Sequence, residues 1–211
     1  TFVVIASKSG DTLESMSLFF YLWDELRKHQ KGKAKEHVFA LTDPAEGALR
    51  RFCMSQSIQM LPIPPGVGGR FSIFTPIGLL PISLCGGDID AFLQGAKEMD
   101  TLCQQTSLEE NPAALLAVMQ FLLDTQKKNH LRIVMPYSER LRHIAEWDQQ
   151  LIAESLGKRD TQNPIPLASH GPQDQHSLLQ QWLAGPRGFW HLFIRELEKP
   201  RIEIPTTVES T

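Results

Sequence analysis

The first fifteen residues constrain the fold most. Phe2-Val-Val-Ile-Ala6 is an unbroken apolar run, and Ser7-Lys8-Ser9-Gly10-Asp11-Thr12 is a hydroxyl-rich turn. After the turn, Leu13, Met16, Phe19, Phe20, Trp23 and Leu26 recur at helical spacing. An apolar run without alternation is a strand buried on both faces, which points to a parallel sheet. The helix predicted over Thr12–His29 gathers its apolar residues on one face. Its basic end (Arg27, Lys28, His29, Lys31) suits the negative end of the helix dipole. A buried strand at the very start of a chain lacks a neighbour, and Thr1 is not an initiator methionine. The expectation is therefore that further strands precede Thr1.

The alternation continues. Strands are predicted over His37–Thr42 and Gln59–Ile63, with a short helix between them that Asp43-Pro44 opens and that runs to about Ser55. A βαβαβ order predicts a parallel sheet with helices on its faces. Pro64-Pro65-Gly66-Val67-Gly68-Gly69-Arg70 is a rigid, then flexible, loop. Helices are predicted over Pro76–Leu84 and Ile89–Cys103. Glu109-Glu110-Asn111-Pro112 is a helix entry, with proline near the first helical position, and that helix covers Ala113–Lys128. A strand over Leu131–Pro136, a helix over Leu141–Leu156 ended by Gly157, a short strand over Pro164–Ala168, a helix over Gln173–Ala184 and a strand over Phe189–Leu197 complete a second α/β unit. Arg201–Pro205 reads as extended. The fold class is α/β, in two units at 1–107 and 108–211, with no close repeat between them.

Composition narrows the partners. Of 211 residues, 42% are hydrophobic and 21% charged, ordinary for a globular protein. A net charge of −3 argues against broad binding to nucleic acid or an anionic membrane, while local basic spots can still hold a small anion. No apolar run approaches the ~18 residues that span a bilayer, and the start carries no signal-peptide pattern. Cys53, Cys85 and Cys103 form an odd set without CxxC spacing, so a disulfide framework or a zinc site is not expected and a cytoplasmic setting fits.

Four constellations can carry chemistry. The Ser7–Thr12 turn sets three hydroxyls and free N–H groups between a strand end and a helix start, where a phosphate can sit. Helix capping by Ser9, Asp11 or Thr12 is the ordinary alternative, and the charge of Asp11 opposes an anion. In Gly66-Val67-Gly68-Gly69-Arg70-Phe71-Ser72 the glycines allow close backbone approach, and Arg70 can neutralise developing negative charge; a flexible loop with a solvated arginine is the alternative. Gln150 and Glu154 stand at i, i+4 on one helix face, and a carboxylate there can act as a general base, although most such glutamates are simply solvated. His176, after the Gly171-Pro172 turn, can be a proton donor or a surface residue. No nucleophile elbow and no metal-ligand spacing occurs.

The order of these motifs is more specific than any one of them. Ser7-Lys8-Ser9-x-x-Thr12-x-Glu14, Val67-Gly68-Gly69-Arg70-Phe71-Ser72, Glu154-Ser155-Leu156-Gly157-Lys158 and Asp174-Gln175-His176-Ser177 together resemble the glucose-6-phosphate isomerase family. Glu110-Asn111-Pro112-Ala113 and Pro136-Tyr137-Ser138 add to the resemblance, which covers about residues 1–200. It implies two sugar-isomerase domains, each a three-layer α/β/α parallel-sheet unit. The first would be incomplete here, and a C-terminal helix bearing a lysine and a glutamine would be missing. It implies interconversion of glucose 6-phosphate and fructose 6-phosphate in glycolysis and gluconeogenesis, through a cis-enediol(ate), with no metal or organic cofactor. By resemblance, Ser7, Lys8, Ser9 and Thr12 hold the sugar phosphate, and Gln150 contacts substrate. Glu154 moves the proton between C1 and C2, Arg70 stabilises the intermediate, and His176 opens the ring from the neighbouring subunit of a homodimer. Asp11 departs from the family pattern, which has Thr there. Two other readings stay open: a noncatalytic module that binds sugar phosphates, and an isomerase region of a fused polypeptide. The chain by itself is expected to turn over poorly.

Overall fold

The computed structural model describes residues 2–158 and 163–197; the extended segment expected over Arg201–Pro205 lies outside the described residues. The chain divides into two compact units, Thr1–Gln105 and Thr106–Thr211.

The first unit runs β1 (Val3–Ala6), α1 (Leu13–His29), β2 (Val38–Thr42), α2 (Ala48–Gln56), β3 (Gln59–Pro62), a 3-10 turn at Gly69–Phe74, α3 (Pro76–Leu84) and α4 (Ile89–Cys103). Its sheet has the order β1-β2-β3 with both pairings parallel, Val3 opposite Val38 and Phe39 opposite Gln59. The apolar stripe of α1 closes one face: Met16, Phe19, Trp23 and Leu26 pack with Ile5, Val38 and Ala40 of the sheet and with Leu49 and Cys53 of α2. Each large side chain buried in this way contributes about 1.5–3 kcal/mol. Phe52 of α2 meets Phe19 and Trp23 edge-on, with ring centroids 5.6 and 5.7 Å apart, so the two helices lock over the same face. The same burial raises the Cys53 thiol to about 11, which keeps it protonated and unreactive.

The second unit runs α5 (Pro112–Thr125), β4 (Leu131–Pro136), α6 (Arg142–Leu156), β5 (Ile165–Ala168), α7 (Gly171–Ala184) and β6 (Phe189–Ile194). The sheet order is β5-β4-β6, again all parallel, with β4 in the middle and Ile133, Val134 and Met135 buried. Arg132 is the exception in that strand. It is only 3% exposed yet charged, and Asp148 of α6 answers it with a two-pronged ion pair, Nη2 to Oδ1 at 3.1 Å. Its guanidinium also lies 5.7 Å from the centre of the Trp190 ring on β6. A buried charge demands such partners, and here the pairing fixes α6 against the central strand.

Several element ends differ from expectation for identifiable reasons. The helix expected from Asp43-Pro44 begins only at Ala48, because the Asp43 carboxylate accepts the N–H groups of Ala45 and Glu46 and makes a turn instead. Those two bonds hold the Asp43 carboxyl below its ordinary value. His37 belongs to a 3-10 turn, Ala34–His37, and not to β2. The helix expected to reach Lys128 stops at Thr125, and Lys128 itself turns the chain with φ 58°. Strand β6 stops at Ile194 and not at Leu197, because Ile194 pairs with Pro136, the last residue of β4. No described helix is long and apolar enough to cross a membrane.

On β6, His191 sits among aromatic rings: Trp182 at 4.5 Å, Phe189 at 5.5 Å and Phe193 stacked at 5.5 Å. Burial lowers its pKa below the ordinary 6.5, and its buried Nε2 has no partner among the described residues. Protons therefore favour the unfolded state once the pH falls below about 6.5, and the stability lost accumulates until the lower, folded-state pKa is passed. Thermal unfolding of wild type between about pH 8 and 5 should show that loss, and His191→Phe should flatten the slope; an unchanged slope would remove His191 as its source.

Candidate active site

The hydroxyl-rich turn leaves the C-terminal end of β1. Two backbone bonds tie its start to the end of β2: Ser7 N–H to the Leu41 carbonyl at 3.0 Å, and Asp43 N–H to the Lys8 carbonyl at 3.2 Å. Within the turn, Gly10 N–H donates to Ser7 Oγ at 3.1 Å and Asp11 N–H to Ser9 Oγ at 3.2 Å. Ser7 Oγ and Thr12 Oγ1 share a hydrogen bond of 3.2 Å. Thr12 occupies the N-cap position of α1, but no side chain caps that helix. The capping use of these residues is thus not realised. The hydroxyls bond within the turn, and the first-turn N–H groups of α1 stay uncommitted to side chains, as an anion site needs.

Two glycines seat this turn against α2. Gly10 has φ +71°, and a Cβ there would stand 2.6 Å from the Leu49 nitrogen. Gly47 has φ +114°, and a Cβ there would stand 2.6 Å from the Ser9 carbonyl oxygen. Both positions require glycine twice over, for left-handed backbone and for room. Gly47 is also the N-cap of α2, which again lacks a side-chain cap.

Between these turns lies a pocket of about 820 Å³. Ser7, Lys8, Ser9, Asp11 and Thr12 form one wall, Asp43, Glu46, Gly47 and Arg51 another, and Gly69 and Ser72 of the glycine-rich segment a third. Lys8 joins two walls, because its Nζ donates to the Val67 carbonyl at 2.7 Å. The glycine-rich segment is more ordered than a flexible loop. It winds into the 3-10 turn at Gly69–Phe74, held by Ser72 Oγ donating to the Gly69 carbonyl at 2.5 Å and Thr75 Oγ1 to the Ser72 carbonyl at 2.7 Å. Arg70 is half-buried with its guanidinium 4.8 Å from the centre of the Phe71 ring, and it is not among the residues that line the pocket.

In the second unit, Gln150 and Glu154 lie on one exposed face of α6, and the Gln150 amide donates to Glu154 Oε1 at 2.9 Å. That bond orients the carboxylate. His176 stands on the exposed first turns of α7, a different helix. The turn before α7 is organised by Asp174, whose Oδ2 accepts from His170 N–H at 2.6 Å and Ser169 Oγ at 3.1 Å. Gly171 is required here as well, since a Cβ would stand 2.8 Å from the Pro136 carbonyl. Among the described residues no group of three His, Cys, Asp or Glu side chains could hold a metal ion.

Residues 43–51 are the part of the pocket that motif reading passes over. Ligand sites of parallel α/β sheets lie beyond the carboxyl ends of the strands. The residues after Thr42 were identifiable by that rule alone. The fold is that of a parallel-sheet α/β protein, with a pocket at the ends of two strands, walled by a hydroxyl turn, where proteins of this class bind small ligands. The particular family follows from comparison: the phosphoglucose isomerase family model matches residues 1–180, and the chain belongs to that family. A glucose-6-phosphate isomerase of Carboxydothermus hydrogenoformans is 37% identical over 95% of this chain and 45% of its own length. One from Methanocaldococcus jannaschii is 38% identical over 88% of this chain and 45% of its own. Among solved structures, a hypothetical protein of Thermus thermophilus superposes with a TM-score of 0.84 at 35% identity, over 96% of this chain and 50% of that one. A glucose-6-phosphate isomerase of Chlamydia trachomatis gives a TM-score of 0.78 at 25% identity, over 92% of this chain and 39% of that one. The chain spans about half the length of the curated relatives it matches.

Gly47→Ala is expected to destabilise the first unit by about 1–3 kcal/mol, from backbone strain plus the clash with Ser9. Gly32→Ala, at φ +89° but with nothing within 4 Å, should cost less. Urea unfolding of both variants checks the difference, and equal losses would mean that the Ser9 contact does not matter.

Proposed function

We propose that this chain carries the sugar-phosphate pocket and the proton-transfer groups of a glucose-6-phosphate isomerase. The observation that carries the reading is the hydroxyl turn of Ser7, Ser9 and Thr12 facing a pocket, with uncapped helix N–H groups beside it, in a chain of the phosphoglucose isomerase family. In this reading the phosphate rests on that turn and anchors the open-chain sugar far from the reacting carbons. Such anchoring supplies orientation. Glu154, oriented by Gln150, removes a proton from one carbon of the C1–C2 pair and returns it to the other. Arg70 stabilises the oxyanion of the cis-enediolate. His176 opens the sugar ring and acts in the site of a neighbouring subunit, so the enzyme works as a homodimer. Residues 1–107 and 108–211 belong to two sugar-isomerase domains, and the enzyme serves glycolysis and gluconeogenesis in the cytoplasm. The chemistry uses no metal or organic cofactor, since a base next to the carbon and a cation next to the oxyanion suffice.

In an isomerase carrying this chain, Glu154→Gln is expected to lower turnover by about 10²–10⁴-fold and to leave sugar-phosphate affinity largely intact. Ser9→Ala combined with Thr12→Ala should weaken that affinity by about tenfold or more. A coupled isomerase assay and calorimetric titration read both. Unchanged turnover would take Glu154 out of the mechanism, and unchanged affinity would take the hydroxyl turn out of the phosphate site.

A further inference from the structure

The charge balance of the first-unit pocket is unusual for an anion site. Three carboxylates line it, Asp11, Asp43 and Glu46, against two cations, Lys8 and Arg51. The N–H groups of Ala45 and Glu46 hold the Asp43 carboxyl below its ordinary value. Hydroxyls and N–H groups supply hydrogen bonds to a phosphate but carry no net charge. A dianion entering this pocket therefore depends on whichever cation remains available to it.

Lys8 has one of its donors engaged by the Val67 carbonyl, at 2.7 Å. Its ammonium straps the glycine-rich segment to the hydroxyl turn. Arg51 differs: among the described residues its guanidinium makes no hydrogen bond and no ion pair. Its place is set by the backbone. Arg51 N–H bonds to the Gly47 carbonyl at 3.1 Å, so Arg51 stands one turn along α2 from Gly47 and on the same face. Gly47 is the residue that touches Ser9, and it has no side chain. The next side chain on the face that meets the hydroxyl turn is therefore that of Arg51. The adjacent Arg50 lines a separate cavity of about 310 Å³ with Thr42, Pro44 and Met60, and its charge reaches the pocket only through Asp43.

We infer that Arg51 is the specificity-determining cation for the phosphate group in this pocket, acting beside Lys8, whose ammonium also straps the glycine-rich segment. The inference rests on the sugar-phosphate reading above and adds to it the residue that tells a phosphorylated sugar from a neutral one. A guanidinium offers a planar pair of N–H donors that matches two phosphate oxygens, whereas an ammonium binds as a point charge.

The test uses the complete isomerase carrying this chain, assayed with fructose 6-phosphate and with inorganic phosphate as competitor, at low and at moderate salt. Arg51→Gln is expected to raise both KM and the phosphate inhibition constant by about tenfold to a hundredfold, the range of one or two charge-assisted bonds. It should also make KM less sensitive to salt. Arg51→Lys should recover part of the affinity, and Arg50→Gln, whose charge acts on the pocket only through Asp43, should change both constants far less than Arg51→Gln. Arg51 is exposed, so its replacement leaves the core intact. If the wild-type enzyme isomerises fructose 6-phosphate but Arg51→Gln changes neither constant, the inference is wrong and the pocket reading stands. If the wild-type enzyme shows no isomerase activity and does not bind phosphate, the functional reading fails and this inference falls with it.

Discussion

Parallel pairing of short apolar strands is the constraint on which everything else depends. Parallel neighbours cannot be joined by a tight hairpin, so each connection must cross over through a helix. Every strand then ends at the same edge of its sheet. In the first unit this places the turn after β1 beside the turn after β2, with Ser7 and Asp43 bonded across to the neighbouring strand ends. The pocket is what lies between these two turns and the glycine-rich segment. In the second unit the same rule sets α6 and α7 after β4 and β5.

Close contact turns this arrangement into a site. Gly10 and Gly47 each lack the Cβ that would collide with the other's turn, so the hydroxyl turn can rest directly on the start of α2. Lys8 then closes the third side through Val67. The second unit uses charge for the same purpose. The buried Arg132–Asp148 pair pins α6 to β4 and thereby sets the face on which Gln150 and Glu154 lie. The first device costs no backbone strain, because glycine adopts positive φ freely. The second carries the desolvation of two charges, which their mutual pairing offsets.

Much of this was legible in the residues. The apolar runs and the 3.6-residue stripe of α1 predicted the strands and helices, because periodicity is a local property that burial enforces. The order of four short motifs carried the family resemblance. The less legible parts were those decided at a distance. Asp43 looked like a helix opener but makes a turn, because its carboxylate found the N–H groups of Ala45 and Glu46 before the helix began. The 3-10 turn at Gly69–Phe74 read as loop, since its hydroxyl-to-carbonyl bonds leave no mark on hydrophobic periodicity. Lys8 was placed by its motif in the hydroxyl turn, but its bond to Val67 depends on where the glycine-rich segment travels.

The sequence by itself determined the order of strands and helices, their parallel pairing, and the presence of a hydroxyl turn at a strand-to-helix junction. Each of these follows from neighbouring residues: apolar runs, helical spacing, and polar residues too crowded to continue a strand. Tertiary structure alone decided that Gly47 sits on Ser9, that Lys8 reaches Val67, and that Arg51, and not Arg50, faces the pocket. Those facts depend on the register of β1 against β2 and on the pitch at which α2 leaves its turn. Register and pitch are set by contacts between residues far apart in the chain, which no local pattern encodes.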